Sequence, residues 1–116
     1  MQNIESKVTI DGGCAYDLAE MTQYQDGAVV SRTLLKNNSG TLTVFSFDAG
    51  QALSEHTVPF NAFIQVLDGE GEITVDGNTT TVKSGEIILM PGGKPHSVHA
   101  EKRFKMLLIM FRTKVV

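Results

Sequence analysis

Two histidines carry most of the chemistry that this chain offers. His96 closes the pattern Gly85-x5-Pro91-x-Gly93-x2-His96, and His56 closes the shorter pattern Gly50-x5-His56. Imidazole changes charge near neutral pH, so a histidine suits the role of general base, and its neutral form is a good ligand for a divalent first-row metal. A firmly held metal of that kind wants three or four protein donors. A pair of imidazoles in an apolar surround instead suits a small organic ligand with one acidic or carbonyl group and a hydrophobic body.

The elements around each histidine are short strands separated by turn residues. Gly85 opens a turn, and Ile87-Ile88-Leu89-Met90 reads as a short buried strand. Pro91, Gly92, Gly93 and Pro95 then form a stiff, bent loop that delivers His96 to the start of the next strand. Upstream, Asp11-Gly12-Gly13 is a turn. Asp17 and Glu20 form the pattern of a capping box for one short helix over residues 18–23. Strands are expected over residues 28–35 and 41–47, with turns at Asn37-Asn38-Ser39-Gly40, Asp48-Ala49-Gly50, Asp68-Gly69, Asp76-Gly77-Asn78 and Lys83-Ser84-Gly85. Strands about every ten residues, punctuated by Gly and Asx, indicate an all-β sandwich or barrel.

Period-two alternation assigns the faces. If His56 points inward, Val58, Ala62, Ile64 and Val66 share its side, allowing for a bend at Pro59. His96 and Ala100 share a face, and His99 falls on the opposite one. His99 is therefore read as an external or interface residue. Gln65 points away from the histidines within the apolar run Phe63 to Leu67, which suits a hydrogen bond at a subunit interface. Glu55 and Asn61, the polar neighbours best placed to add a metal donor, alternate outward. Near the C-terminus, Met106, Leu108 and Met110 line one face of a strand while Leu107, Ile109 and Phe111 line the other. A strand apolar on both faces needs cover on both sides. The outer cover is expected from a second subunit, the alternative being the N-terminal segment of the same chain. Met90, Met106 and Met110 read as core rather than as metal ligands.

A chain of 116 residues with 41% hydrophobic residues is long enough to bury a real core as one domain. The formal charge of −3 gives no electrostatic reason to expect a nucleic-acid partner. Lys102, Arg103, Lys105, Arg112 and Lys114 read as a solvated basic face. The longest apolar run, Met106 to Phe111, is far too short to span a bilayer, so no membrane partner is expected. The start of the chain lacks a signal pattern, and the single cysteine, Cys14, cannot form an intramolecular disulfide. Both observations point to a cytoplasmic protein.

The spacing that ends at His96 resembles the second signature motif of the cupins, with Ala100 where that family has its closing Asn. The segment from Gly50 to Gly69 resembles their first motif in a degenerate form. The resemblance covers residues 40–111 and implies a double-stranded β-helix, the jelly-roll barrel of that family. The expectation is thus a single cupin domain over residues 1–116, with residues 1–39 as an N-terminal strand and helix segment. In the usual cupin, His-x-His and a Glu four residues later join the second-motif histidine to hold a metal. Here those places hold Val58 and Ala62, so four ligands become two, His56 and His96.

Two functions follow from the resemblance. One is a small cupin that binds a small organic molecule in its barrel cavity around His56 and His96, with at most a partial site for Zn, Fe, Ni or Mn. The other is a metal-dependent cupin enzyme, of dioxygenase or isomerase class, whose site is completed by water. His56 and His96 are the candidate catalytic residues of that second reading. Many cupins are dimers, and a homodimer is expected here.

Overall fold

The structure, a computed structural model, describes residues 7–114. It is almost entirely β. In chain order the strands are β1 (Lys7–Val8), β2 (Val29–Asn37), β3 (Gly40–Phe47), β4 (Ala52–His56) and β5 (Phe60–Asp68), then β6 (Glu70–Val75), β7 (Asn78–Lys83), β8 (Ile87–Met90), β9 (His96–His99) and β10 (Phe104–Lys114). They form two antiparallel sheets, one ordered β1-β2-β3-β10-β5-β8 and one ordered β4-β9-β6-β7. This is the all-β double-stranded β-helix that the sequence led us to expect. Among the described residues, no helix is long and apolar enough to cross a membrane.

The inward faces of both sheets meet in one apolar core. Ile64, Val66, Ile73, Phe104 and Met106 are completely buried there, together with Phe47. The Phe47 and Phe104 rings stack 4.7 Å apart and 7° from parallel. Gly71 makes room for that stack, since a Cβ at its position would lie 2.5 Å from the Phe104 ring. The middle of the barrel is therefore filled by side chains.

Three expectations change. The helix is a single 3-10 turn, Leu18–Met21, closed by the Glu20 N–H to the Asp17 carbonyl at 3.0 Å. Asp17 accepts from the Ala19 N–H as an N-cap, but Glu20 does not complete the reciprocal half of a capping box; its carboxylate accepts instead from Gln23. Lys105 sets this geometry. Its buried Nζ donates to the Ala19 and Thr22 carbonyls at 2.6 and 2.8 Å, so the turn's last acceptors are satisfied by a side chain from β10.

The strand over Ile87–Met90 is not buried on both faces. β8 is a sheet edge paired only with β5, so Ile88 and Met90 turn inward while Ile87 and Leu89 stay 58% and 44% exposed.

The third change concerns β10, whose outer face is covered in part by its own chain. Leu107 packs with Leu34 and Val44, and Ile10, Leu18 and Met21 of the N-terminal segment close over that cluster. Phe111, further along β10, is left 51% exposed.

Candidate functional site

Short loops bring several strand ends together at one end of the barrel. The His56–Phe60 connection leads from β4 to β5, and the Pro91–Pro95 connection leads from β8 to β9. Backbone hydrogen bonds stitch these loops to one another. Gly93 donates to the Val58 carbonyl at 2.8 Å, and Asp76 donates to the Pro95 carbonyl at 2.8 Å. Asn61, considered from sequence as a spare metal donor, instead accepts from the Gly92 N–H at 2.9 Å. It braces the proline-glycine loop. Gly93 sits at φ 85°, a left-handed conformation that glycine adopts without strain.

The sheet then sets the two imidazoles against each other. β4 and β9 pair antiparallel, with Leu53 opposite Val98 and His56 opposite His96. Three residues on β4 thus span two on β9, which is a β-bulge. Without it, simple counting would put Glu55 opposite His96, and Leu53 and His56 would face opposite ways. The bulge inverts the alternation and turns the histidine toward its partner. Sequence parity could not show this, because a bulge depends on the pairing partner.

The His56 and His96 rings lie 4.4 Å apart between centroids, at 67° to one another. His96 is only 6% exposed, whereas His56 opens to solvent. Each Nδ1 faces a backbone carbonyl, Ser54 for His56 at 3.1 Å and Lys94 for His96 at 3.4 Å. A carbonyl only accepts, so when these bonds form Nδ1 carries the proton, and in the neutral ring Nε2 keeps a free lone pair. Burial pushes the His96 pKa below the usual histidine range. Repulsion from His56 adds to this, and the Lys94 carbonyl opposes it. His96 is consequently a neutral base at neutral pH.

The remaining sequence-selected residues fall in different places. Ala62 is buried in the core beside Met90, its partner across β5 and β8. Val58 is half-buried in the loop after β4. Met90, Met106 and Met110 pack with the core. His99 is exposed, opposite Ala52 and Glu72. Gln65 lies opposite Leu107 and Ile87. Cys14 is an exposed free thiol.

The five-residue basic cluster does not form one face. Arg103 pairs with Asp26 and Asp48, Lys105 is buried, and Arg112 and Lys114 lie elsewhere beside Lys7 and Lys36.

Two points bear on what the histidine pair can hold. Among the described residues, no group of three or more His, Cys, Asp or Glu side chains is placed to hold a metal ion. The donor set is two imidazoles with no anionic ligand, which falls short of the three or four that a first-row metal requires. Second, hollows of about 920 and 480 Å³ lie elsewhere on the surface, and neither is lined by His56 or His96. The barrel interior is packed by Phe47, Ile64, Val66, Phe104 and Met106, and Ala62, Met90 and Val98 belong to the same buried cluster.

Comparison with known proteins is consistent with this architecture. The family pattern described as Cupin domain matches residues 43–111. A conserved protein of unknown function from Streptococcus pyogenes is 34% identical, with a TM-score of 0.86 over 99% of this chain and 98% of its own. A cupin 2 conserved barrel domain protein from Leptotrichia buccalis is 43% identical, with a TM-score of 0.81 over 83% of this chain. The match spans about half, 47%, of that longer protein. A predicted oxalate decarboxylase from Thermotoga maritima shares the fold, with a TM-score of 0.68 at 19% identity over 72% of this chain and 79% of its own. No curated protein matches the chain.

Proposed function

The chain belongs to the cupin family, and from that premise we propose that it binds a small organic molecule at the barrel mouth, between His56 and His96. The observation that carries this reading is the imidazole pair itself. Two rings 4.4 Å apart have both Nδ1 atoms turned to backbone carbonyls, so two Nε2 atoms remain for one ligand. A neutral, buried His96 can accept a proton or hydrogen bond from an acidic group, while Val98, two residues along β9 and part of the apolar core, favours a hydrophobic body. The second reading, a metal-dependent dioxygenase or isomerase, draws on the same free nitrogens but lacks two donors at Val58 and Ala62.

Imidazole NMR tests the shared site without a ligand. His96 is expected to titrate below the usual value of about 6.5, and His56→Ala should move its pKa upward by removing a like charge. Its depressed folded pKa has a consequence for stability. Stability is complete above the ordinary histidine range and declines as pH falls through the folded value, because the unfolded chain takes up the proton first. A His96 titration indifferent to His56→Ala would sink the shared site.

We also propose a homodimer through the outer face of the six-stranded sheet. Ile87 and Leu89 on the β8 edge lie beside Phe63, which meets Phe111 edge-on at 6.2 Å between centroids. Three of these four side chains are substantially exposed, and a contiguous apolar patch of this kind is unusual on a monomer. Sedimentation equilibrium should give twice the chain mass of 12.6 kDa at micromolar concentration. Leu89→Asp should shift it toward the monomer, and a parent that already sediments as a monomer would refute the dimer.

A further inference from the structure

We propose that a basic groove, separate from the histidine pair, binds a phosphorylated small molecule with a flat ring. Lys7, Lys36, Arg112, Lys114 and Phe60 line a surface hollow of about 920 Å³ at the end of the six-stranded sheet. Four of the chain's ten Lys and Arg residues gather there. Among the described residues no Asp or Glu lines the hollow, although the whole chain carries a charge of −3. Chance scatter of charge on an acidic protein would place carboxylates among these cations.

The fold creates this gathering. β1 runs antiparallel to β2 with Lys7 directly opposite Lys36, and the last pairing of β10 with β5 sets Lys114 opposite Phe60. The Arg112 N–H donates to the Ser39 carbonyl at 2.8 Å, which ties the end of β10 to the β2–β3 turn. Like charges directly across a strand pair repel and destabilise it. Among the described residues none of the four cations forms an ion pair; the three observed ion pairs involve Lys94 and Arg103. An anion seated between Lys7 and Lys36 would remove that repulsion.

The ligand class follows from the lining. Several point charges together with an arginine fork match the oxygens of a phosphate ester. The Arg112 guanidinium lies 5.9 Å from the Phe60 ring centroid, so cation and aromatic face stand together for a ligand with both an anion and a ring. The hollow is far larger than inorganic phosphate needs. Because the site uses neither imidazole, it stands or falls independently of the histidine reading.

Calorimetric titration of the full chain with AMP, inorganic pyrophosphate and adenosine tests the proposal. AMP and pyrophosphate should bind and adenosine should not, with affinity falling as salt is raised from 50 to about 500 mM. Lys36→Gln with Arg112→Gln should weaken AMP at least about tenfold, since each cation contributes a charge-assisted hydrogen bond. Lys7→Gln should also weaken it, and Lys102→Gln, outside the groove, should leave it within about twofold of the parent. Phe60→Leu should cost more affinity for AMP than for pyrophosphate. All of these cations are on the surface, so the variants should fold, as circular dichroism would verify. Absence of AMP binding at millimolar concentration would overturn the proposal. So would equal binding by Lys36→Gln/Arg112→Gln, binding of adenosine comparable to AMP, or displacement of AMP only by a long single-stranded oligonucleotide.

Discussion

Val58→His combined with Ala62→Glu should raise affinity for Zn, Ni or Mn by orders of magnitude over the parent. The parent offers two imidazoles, and among the described residues no third donor joins them. Asn61 Oδ1 accepts from the Gly92 N–H, a bond that competes with any role as a substitute donor. Two added donors, one of them anionic, would complete a set of three histidines and a carboxylate, and donor number and charge dominate affinity at such sites. The same change should destabilise the metal-free protein. Ala62 is 1% exposed and packed in the core, so a glutamate there crowds its neighbours at a cost of about 1–3 kcal/mol. It also buries a carboxylate without a partner. Metal should restore the loss through linkage. Titration calorimetry and melting with and without metal would read both effects. A double variant that folds yet binds metal no better than the parent would show that positions 58 and 62 are not the vacant ligand places.

What the sequence disclosed was what local chemistry decides. Gly and Asx residues mark their own turns, and alternation marks strand faces, so the β architecture and the inward face of Ala62, Ile64 and Val66 could be read directly. The approach of His56 to His96 was legible only through its spacing in two motifs. Its actual cause, the bulge between Leu53 and His56, arises from register against β9 and leaves no local mark.

The same limit hid every feature made by distant segments. Lys105 looked like a surface charge until its reach to the Ala19 and Thr22 carbonyls was seen. Lys7 and Lys36 lie far apart in sequence, and only strand pairing makes them neighbours. Ile87 and Leu89 looked buried because composition does not say that β8 is an edge. Phe47, Phe104 and Met106 fill the middle of the barrel, and volume packing cannot be counted along a chain.

The largest functional effect is expected from the histidines themselves. His56→Ala or His96→Ala should leave the fold intact, because the core is apolar and neither ring contributes a core contact of the size of Phe104. Each should remove one of the two nitrogens available to a ligand, a loss of about 1.5–3 kcal/mol for a charge-assisted bond. That corresponds to roughly tenfold to a hundredfold in affinity for either variant. The combined variant should abolish binding.

The most direct test uses untagged protein purified natively, with bound small molecules extracted, identified by mass spectrometry and titrated back. The parent should retain a compound with an acidic group, able to give a proton or hydrogen bond to Nε2, on an apolar body. His56→Ala and His96→Ala should each bind it at least about tenfold more weakly, with unchanged melting cooperativity. Equal binding of that compound by the parent and by the His56→Ala/His96→Ala double variant would contradict a ligand site built on this pair.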